Sequence, residues 1–343
     1  MGQVAVVGTT SWGTTLAIML GREGLGVRLW ARTTEEAERL NRDRENTGHC
    51  PGFRFPEGLH ATASMDEALV GAELIILAVP SQYMRHQASL IREHLDSSKL
   101  ILSVAKGLEV ESARRMSEVI TEEIDRRFHG NICVLSGPNL AQEIARGLPA
   151  TAVVAAYEAP VAARVQRMIA SSLFRVYVNT DVVGVELGGV LKNIIALAAG
   201  MVDGLGYGNN TKAGLITRGL AEITRLGVAA GANALTFAGL AGLGDLVATC
   251  ASTLSRNRFF GQELARGRSL EEIKSSMTGI AEGVTTTGAA LKLAAEYRIE
   301  MPITQQVYRV LYEGLDVRRG IAELMERELK HEFGDFLGSA NEP

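Results

Sequence analysis

Residues 3–24, QVAVVGTTSWGTTLAIMLGREG, decide the fold. A short apolar run ends at Val7, Gly8-Thr9-Thr10-Ser11-Trp12-Gly13 follows, and the apolar residues of TTLAIMLGREG then recur at helical spacing. Strand, glycine turn and helix in that order give a dinucleotide fingerprint its physical meaning: the turn is tight, and the N–H groups opening the helix face a pyrophosphate. Gly8 and Gly13 hold the outer glycine positions and Ser11 and Trp12 open the helix, but Thr10 replaces the middle glycine. A β-carbon there stands where bare backbone ordinarily admits the pyrophosphate. Replacing Thr10 by glycine is therefore expected to leave dinucleotide affinity equal or tighter.

Val27-Arg28-Leu29-Trp30 reads as the second strand, ending where an adenosine ribose would lie. The chain offers Ala31-Arg32-Thr33-Thr34 there instead of an acidic acceptor for the 2′-hydroxyl. Arg32 suits a 2′-phosphate, which favours NADP(H) while still admitting NAD(H). Ser64-Met65-Asp66-Glu67 has capping-box spacing for a short helix. The runs LIILAV (74–79) and KLILSV (99–104) have the pattern of strands covered on both faces, the second ending at Ala105-Lys106-Gly107. ICVL (132–135) ends at Ser136-Gly137-Pro138-Asn139, and TAVVA (151–155) follows after a short helix. Strands alternating with helices predict an α/β fold with a Rossmann-like doubly wound sheet. Ligands bind such sheets at the carboxyl ends of the strands, where Lys106 and the turn at 137–139 fall.

After Arg175-Val176-Tyr177-Val178 the strand runs give way to long Ala-, Leu- and Gly-rich helical segments. This predicts a nucleotide-binding domain over 1–180 and an all-helical C-terminal domain over 181–343. The first helical segment, GVELGGVLKNIIALAAGMVDG (184–204), is apolar almost all round a helical wheel and reads as buried, yet it carries Lys192 beside Asn193. Desolvation pushes the pKa of such an ammonium down, which suits proton transfer near neutral pH; a stem that snorkels to solvent is the alternative. The six histidines are His49, His60, His86, His94, His129 and His331, so residues 130–330 supply no imidazole. Three further polar clusters stand out. Asn209-Asn210-Thr211-Lys212 precedes a helix expected to start near Ala213, and Gly242-Leu243-Gly244-Asp245 sets one carboxylate among apolar neighbours. Ser255-Arg256-Asn257-Arg258 brings together a hydroxyl, an amide and two guanidinium groups, a set able to hold a phosphate. Helix capping and solvated arginines remain open readings of these clusters.

The composition, 46% hydrophobic and 22% charged over 343 residues with a formal net charge of -4, is that of a globular protein without the basic surplus that nucleic acid calls for. No leader segment is expected, nor an apolar stretch long enough to cross a bilayer, and a cytoplasmic protein follows. Cys50, Cys133 and Cys250 are far apart and in no CxxC pair, which argues against a disulfide framework and a cysteine-built metal site.

Taken together, the stretches SWGT (11–14), AKG (105–107), SGPN (136–139), LKN (191–193), NTKAGLITRGLAE (210–222), GLGD (242–245), SRN (255–257) and AEGV (281–284) resemble the bacterial glycerol-3-phosphate dehydrogenase family that uses NAD(P). The resemblance implies hydride transfer between dihydroxyacetone phosphate and sn-glycerol 3-phosphate. A small phosphorylated triose or polyol is then the partner, and the product feeds glycerophospholipid synthesis. By the same resemblance Lys192 is the proton acceptor in oxidation and the donor in reduction; on electrostatic grounds a carboxylate such as Asp245 suits orienting it and holding it charged, against the desolvation shift. Lys106, Gly137, Asn139, Lys192, Asp245, Ser255, Arg256 and Asn257 are implied to touch substrate, and Ser11, Trp12, Arg32, Lys106, Ala141, Arg256, Ile280 and Glu282 to touch the cofactor. Asn139 stands where many members carry serine or threonine, and Thr10 where the family has glycine. Two other readings stay open: a nucleotide-sensing or scaffold protein with little turnover, and a related reductase of 3-hydroxy acids. The number of subunits is not set by the sequence, and a homodimer is one arrangement it allows.

Overall fold

The computed structural model describes residues 2–277, 279–329 and 331–332. Its strands are β1 Gln3–Val7, β2 Gly26–Trp30, β3 Glu45–Asn46, β4 Cys50–Arg54, β5 Leu59–Thr62, β6 Ala72–Leu77, β7 Leu100–Ser103, β8 Ile132–Ser136, β9 Ala150–Ala155 and β10 Phe174–Asn179. Eight of them form one sheet in the order β10-β9-β8-β7-β6-β1-β2-β5, while β3 and β4 pair separately. Side chains alternate across the sheet with period two, and here both faces are dry. Val4, Val6, Leu74 and Ile76 pack with Leu16 and Leu20 of the first helix, Ser11–Arg22, on one face. Ala5, Val7, Ile75 and Leu77 pack with Met84, Ala88 and Val119 on the other. The strand order reverses between β1 and β6, and a crevice for a ligand opens beyond the carboxyl ends of strands at such a point.

One feature of the sheet was not legible in the apolar runs. β8 and β9 are antiparallel, and β10 runs parallel to β9, so the last two strands oppose the rest. The link between β8 and β9 holds one five-residue helix, Ala141–Ala145, and it returns the chain at the edge where β8 ends. β10 therefore finishes at the opposite edge, and the central helix, Val182–Gly204, starts there and runs back. At about 1.5 Å of rise per residue, the ten residues from Val182 to Lys192 span roughly 15 Å, close to the length of a five-residue strand. Lys192 thus arrives at the carboxyl edge, with Gly189 one turn earlier against Ser136 at the end of β8.

The central helix is buried on every side. Its apolar residues, among them Leu187, Leu191, Ile194 and Leu197, form the heart of the helical core. Val182–Gly204 and Ala234–Ala251 are in fact long and apolar enough to cross a membrane by length and composition, which corrects the expectation that no stretch is. The first is a core helix, 94% covered over its apolar window. The second is broken into Ala234–Phe237, the wide turn Leu240–Gly244 and Asp245–Ala251, and carries the buried Asp245. A further correction concerns the 209–212 cluster, which opens the helix Asn209–Ala229 instead of preceding it, because the extended Gly208 ends the loop and accepts the first helical bond from Lys212 N.

The helix Arg256–Ala265 crosses the central helix at backbone contact. A Cβ on Gly200 would meet Arg258 O at 1.9 Å, and one on Gly261 would meet Leu197 O at 1.9 Å. This close approach seats residues 255–257 beside Asn193. Gly200→Ala is therefore expected to cost about 1–3 kcal/mol in urea unfolding, as overpacked sites do. A loss below about 0.5 kcal/mol would mean that the two helices part without strain.

Candidate active site

Three segments far apart in sequence meet at the carboxyl edge of the sheet. Lys192 comes from the central helix, Lys106 from the loop after β7, and Asp245 from the start of the helix that follows the wide turn. Lys106 Nζ donates to Asp245 Oδ2 at 2.6 Å and to Gly137 O at 2.9 Å. Lys192 Nζ donates to Asp245 Oδ1 and, at 2.5 Å, to Thr249 Oγ1. Thr249, one turn beyond Asp245, donates in turn to the Asp245 carbonyl at 2.7 Å. Asp245 is 2% exposed and Lys192 5%, so the ion pairs are screened from water. Burial pushes the Lys192 pKa down to about 8; Asp245 opposes this and Lys106 adds to it. Two ammonium groups against one carboxylate leave the cluster with a positive charge, matched to an anionic ligand.

The Gly137 carbonyl can face Lys106 because the residue sits at φ +132°, where a Cβ would run into Ala152 Cα at 3.0 Å. Asn139 Nδ2 donates to Thr151 O at 3.1 Å, at the start of β9, and its buried Oδ1 has no partner among the described residues. An amide chain joins the rest. Asn193 Nδ2 donates to Lys106 O at 3.2 Å, Asn257 Nδ2 to Asn193 Oδ1 at 2.9 Å, and Gly283 N to Asn257 Oδ1 at 2.9 Å. Asn257 keeps one amide hydrogen for a ligand. Ser255 caps its helix by accepting from Arg258 N at 3.2 Å, with its own hydroxyl hydrogen left to donate. Arg256 lies beside Gly279, exposed, with no hydrogen-bond partner among the described residues. Glu282 accepts from Ser81 Oγ at 2.7 Å, and burial holds its carboxyl above the usual range against the pull of those Ser81 bonds. Ile280, two residues earlier in the chain, is 45% exposed.

The nucleotide turn lies at the β1–β6 crevice. Ser11 and Trp12 are the first residues of the first helix, and their N–H groups meet no acceptor among the described residues, as expected of a helix start. Arg32 is exposed just past β2, with its side chain unpartnered among the described residues. Ala141 O accepts from Thr15 Oγ1 at 3.4 Å, which brings the 141–145 helix against the first helix. The free Ser11 and Trp12 N–H groups at a helix start, beside the point where the strand order reverses, fit the pyrophosphate of a dinucleotide.

Several groups here escape a reading of the sequence. Thr249 follows the Gly242–Asp245 cluster in sequence, but nothing there gives it a role beside Lys192, and Ser81 carries no motif of its own. Glu186 has a signal, a second charge in the same apolar helix as Lys192. It is 8% exposed and accepts from Arg115 Nη1 at 2.7 Å and Ser117 N at 2.8 Å, which ties the central helix to the far side of the sheet domain. Ser64 accepts from Glu67 N at 3.2 Å, but the Glu67 carboxylate turns to Thr62 Oγ1 at 2.6 Å, leaving half a capping box.

The family model of the NAD-dependent glycerol-3-phosphate dehydrogenase N-terminus matches residues 3–162, and that of the C-terminus matches residues 181–322. The glycerol-3-phosphate dehydrogenase [NAD(P)+] of Dehalococcoides mccartyi is 52% identical over 334 residues, 97% of this chain and 93% of the relative. The enzyme of the same name from Moorella thermoacetica is 49% identical over 97% of this chain and 99% of its own. The crystal structure of glycerol-3-phosphate dehydrogenase from Coxiella burnetii superposes with a TM-score of 0.90 at 38% identity, covering 95% of this chain and 99% of that one. With matches that run through both halves and through every segment of the lysine cluster, the chain belongs to the NAD-dependent glycerol-3-phosphate dehydrogenase family.

Proposed function

We propose that this chain interconverts dihydroxyacetone phosphate and sn-glycerol 3-phosphate by hydride transfer with NAD(P)H, using Lys192 as its proton donor and acceptor. The observation that supports this best is the buried Lys192–Asp245–Lys106 cluster at the mouth of the nucleotide crevice. Bound there, the nicotinamide supplies the hydride. As the carbonyl oxygen takes on charge, the Lys192 ammonium stabilises it and then gives up a proton; in oxidation the neutral amine receives one. A pKa of about 8 leaves both forms of the amine populated near neutral pH. Asp245 and Thr249 fix the direction of Nζ, and Lys106, anchored on Gly137 O, is a second cation for the substrate oxygens. Gly137 and Asn139 complete that side of the pocket.

Ser255, Arg256 and Asn257 hold the substrate phosphate. This end of the substrate does no chemistry, and gripping it converts remote binding energy into positioning of the reacting carbon. Ser11 and Trp12 offer their N–H groups to the pyrophosphate, Gly8 and Gly13 border it with bare backbone, Arg32 takes the 2′-phosphate of NADP(H), and Ala141, Arg256, Ile280 and Glu282 line the remainder, with NAD(H) accepted less well. We assign cofactor binding to residues 1–180 and substrate binding and proton transfer to 181–343. The product supplies glycerophospholipid synthesis in the cytoplasm, a reducing compartment that suits three free, buried cysteines.

Lys192→Ala is expected to lower kcat by about 10²–10⁴-fold, the usual worth of a positioned acid–base group, while the dissociation constant for NADPH stays near that of the parent protein. Substantial remaining turnover would remove the proton role. Arg256→Ala is expected to raise the KM for dihydroxyacetone phosphate by about 10–100-fold, the equivalent of one lost charge-assisted contact. With NADPH held at saturation, so that the cofactor contact of Arg256 does not enter, the slow reduction of unphosphorylated dihydroxyacetone should change much less, and equal losses on both ketones would sink the phosphate assignment.

A further inference from the structure

Thr10 spans the crevice at which the strand order reverses. Its hydroxyl donates to Ala78 O, one residue past β6, at 2.7 Å and accepts from Gly13 N at 3.1 Å. One hydroxyl therefore caps the first helix and fastens it to the neighbouring strand across the β1–β6 gap. The backbone of Thr10 is extended, with φ -61° and ψ 166°, a conformation open to any residue, so nothing in the shape of the turn calls for glycine. Thr9 is held as firmly. Its hydroxyl donates to Glu36 Oε1 at 2.7 Å, and its carbonyl accepts from Asn46 Nδ2 at 2.9 Å and Thr14 Oγ1 at 3.2 Å. Because Thr10 occupies the Gly13 N–H, the helix start is left with the Ser11 and Trp12 N–H groups to offer an anion.

We infer that Thr10 is a positioning residue for the dinucleotide: its hydroxyl, shared between Ala78 and Gly13, locks the turn in the conformation that presents the Ser11 and Trp12 N–H groups to the pyrophosphate. The inference rests on the reading of this turn as the dinucleotide cradle. Glycine at this position removes both bonds and adds a flexible residue that must be ordered when the ligand binds, so affinity falls. This is opposite to the expectation drawn from the motif alone, which weighed the closer approach allowed by a bare backbone and not the rigidity lost with it.

The test is the NADPH dissociation constant of the full chain, read without turnover by quenching of tryptophan fluorescence, since Trp12 lies in the turn itself and Trp30 at the end of β2. Thr10→Gly, Thr10→Val and Thr10→Ser are compared with the parent, alongside their thermal midpoints. Serine keeps the hydroxyl and is expected to hold the constant within about twofold, while glycine and valine raise it about tenfold, or about 1.4 kcal/mol. A glycine variant that binds as tightly as the parent or more tightly overturns the inference. So does a fall in thermal midpoint for glycine and valine with no change in affinity, which would make the hydroxyl structural only. A parent chain that does not bind NADPH overturns the cradle itself, and the inference with it.

Discussion

Asp245 holds two ammonium groups, one on each carboxylate oxygen, in a place that water hardly reaches. Charges taken out of water are costly unless each finds a partner, and removing one partner strands the others. Loss of Asp245 would leave Lys106 and Lys192 facing each other with no counter-charge. The carboxylate comes from the helical half, Lys106 from the edge of the sheet, and Lys192 from the helix lying between. The demand for charge pairing therefore fixes how the two halves of the chain meet, and it does so at the point where chemistry is proposed.

The surrounding framework serves that junction. The reversal of β9 and β10 sends the central helix back across the sheet, so that Lys192 reaches the same edge as Lys106. The buried Arg115–Glu186 pair anchors the early turns of that helix, and the close backbone approach of Gly200 to Arg258 and of Gly261 to Leu197 brings the Ser255 segment to its later ones. Asn193 and Asn257 then link the Lys106 loop to the start of the helix Glu282–Glu296 through amide bonds alone. Amides satisfy one another without adding charge, which leaves the positive balance of the lysine cluster to the substrate.

Much of this was legible in the sequence where local pattern carries the information. Continuous apolar runs identify β6, β7 and β8 because both faces of the sheet are covered, and an apolar helix bearing a lysine announces a buried ammonium. What was not legible depends on pairings between distant residues. The direction of β9 follows from a short return link and not from its own residues, which read the same either way. Thr249 and Ser81 have meaning only beside Lys192 and Glu282, 57 and 201 residues away. Thr10 is the sharpest case. In sequence it is a missing glycine, and in the fold it is a bond between two strands' ends.

In the proposed reaction Lys192, its pKa lowered by burial to about 8, carries the proton in both directions. Below that value the side chain is an ammonium and can donate; above it the amine is neutral and can accept. The most direct measurement is kcat/KM against pH, which reports the ionisation of the protein before substrate binds, taken for dihydroxyacetone phosphate reduction and for glycerol 3-phosphate oxidation on the same protein. One inflection near pH 8 is expected in both profiles, with reduction falling as pH rises through it and oxidation rising. Profiles that are flat between pH 7 and 9, or that move in the same sense, would contradict it.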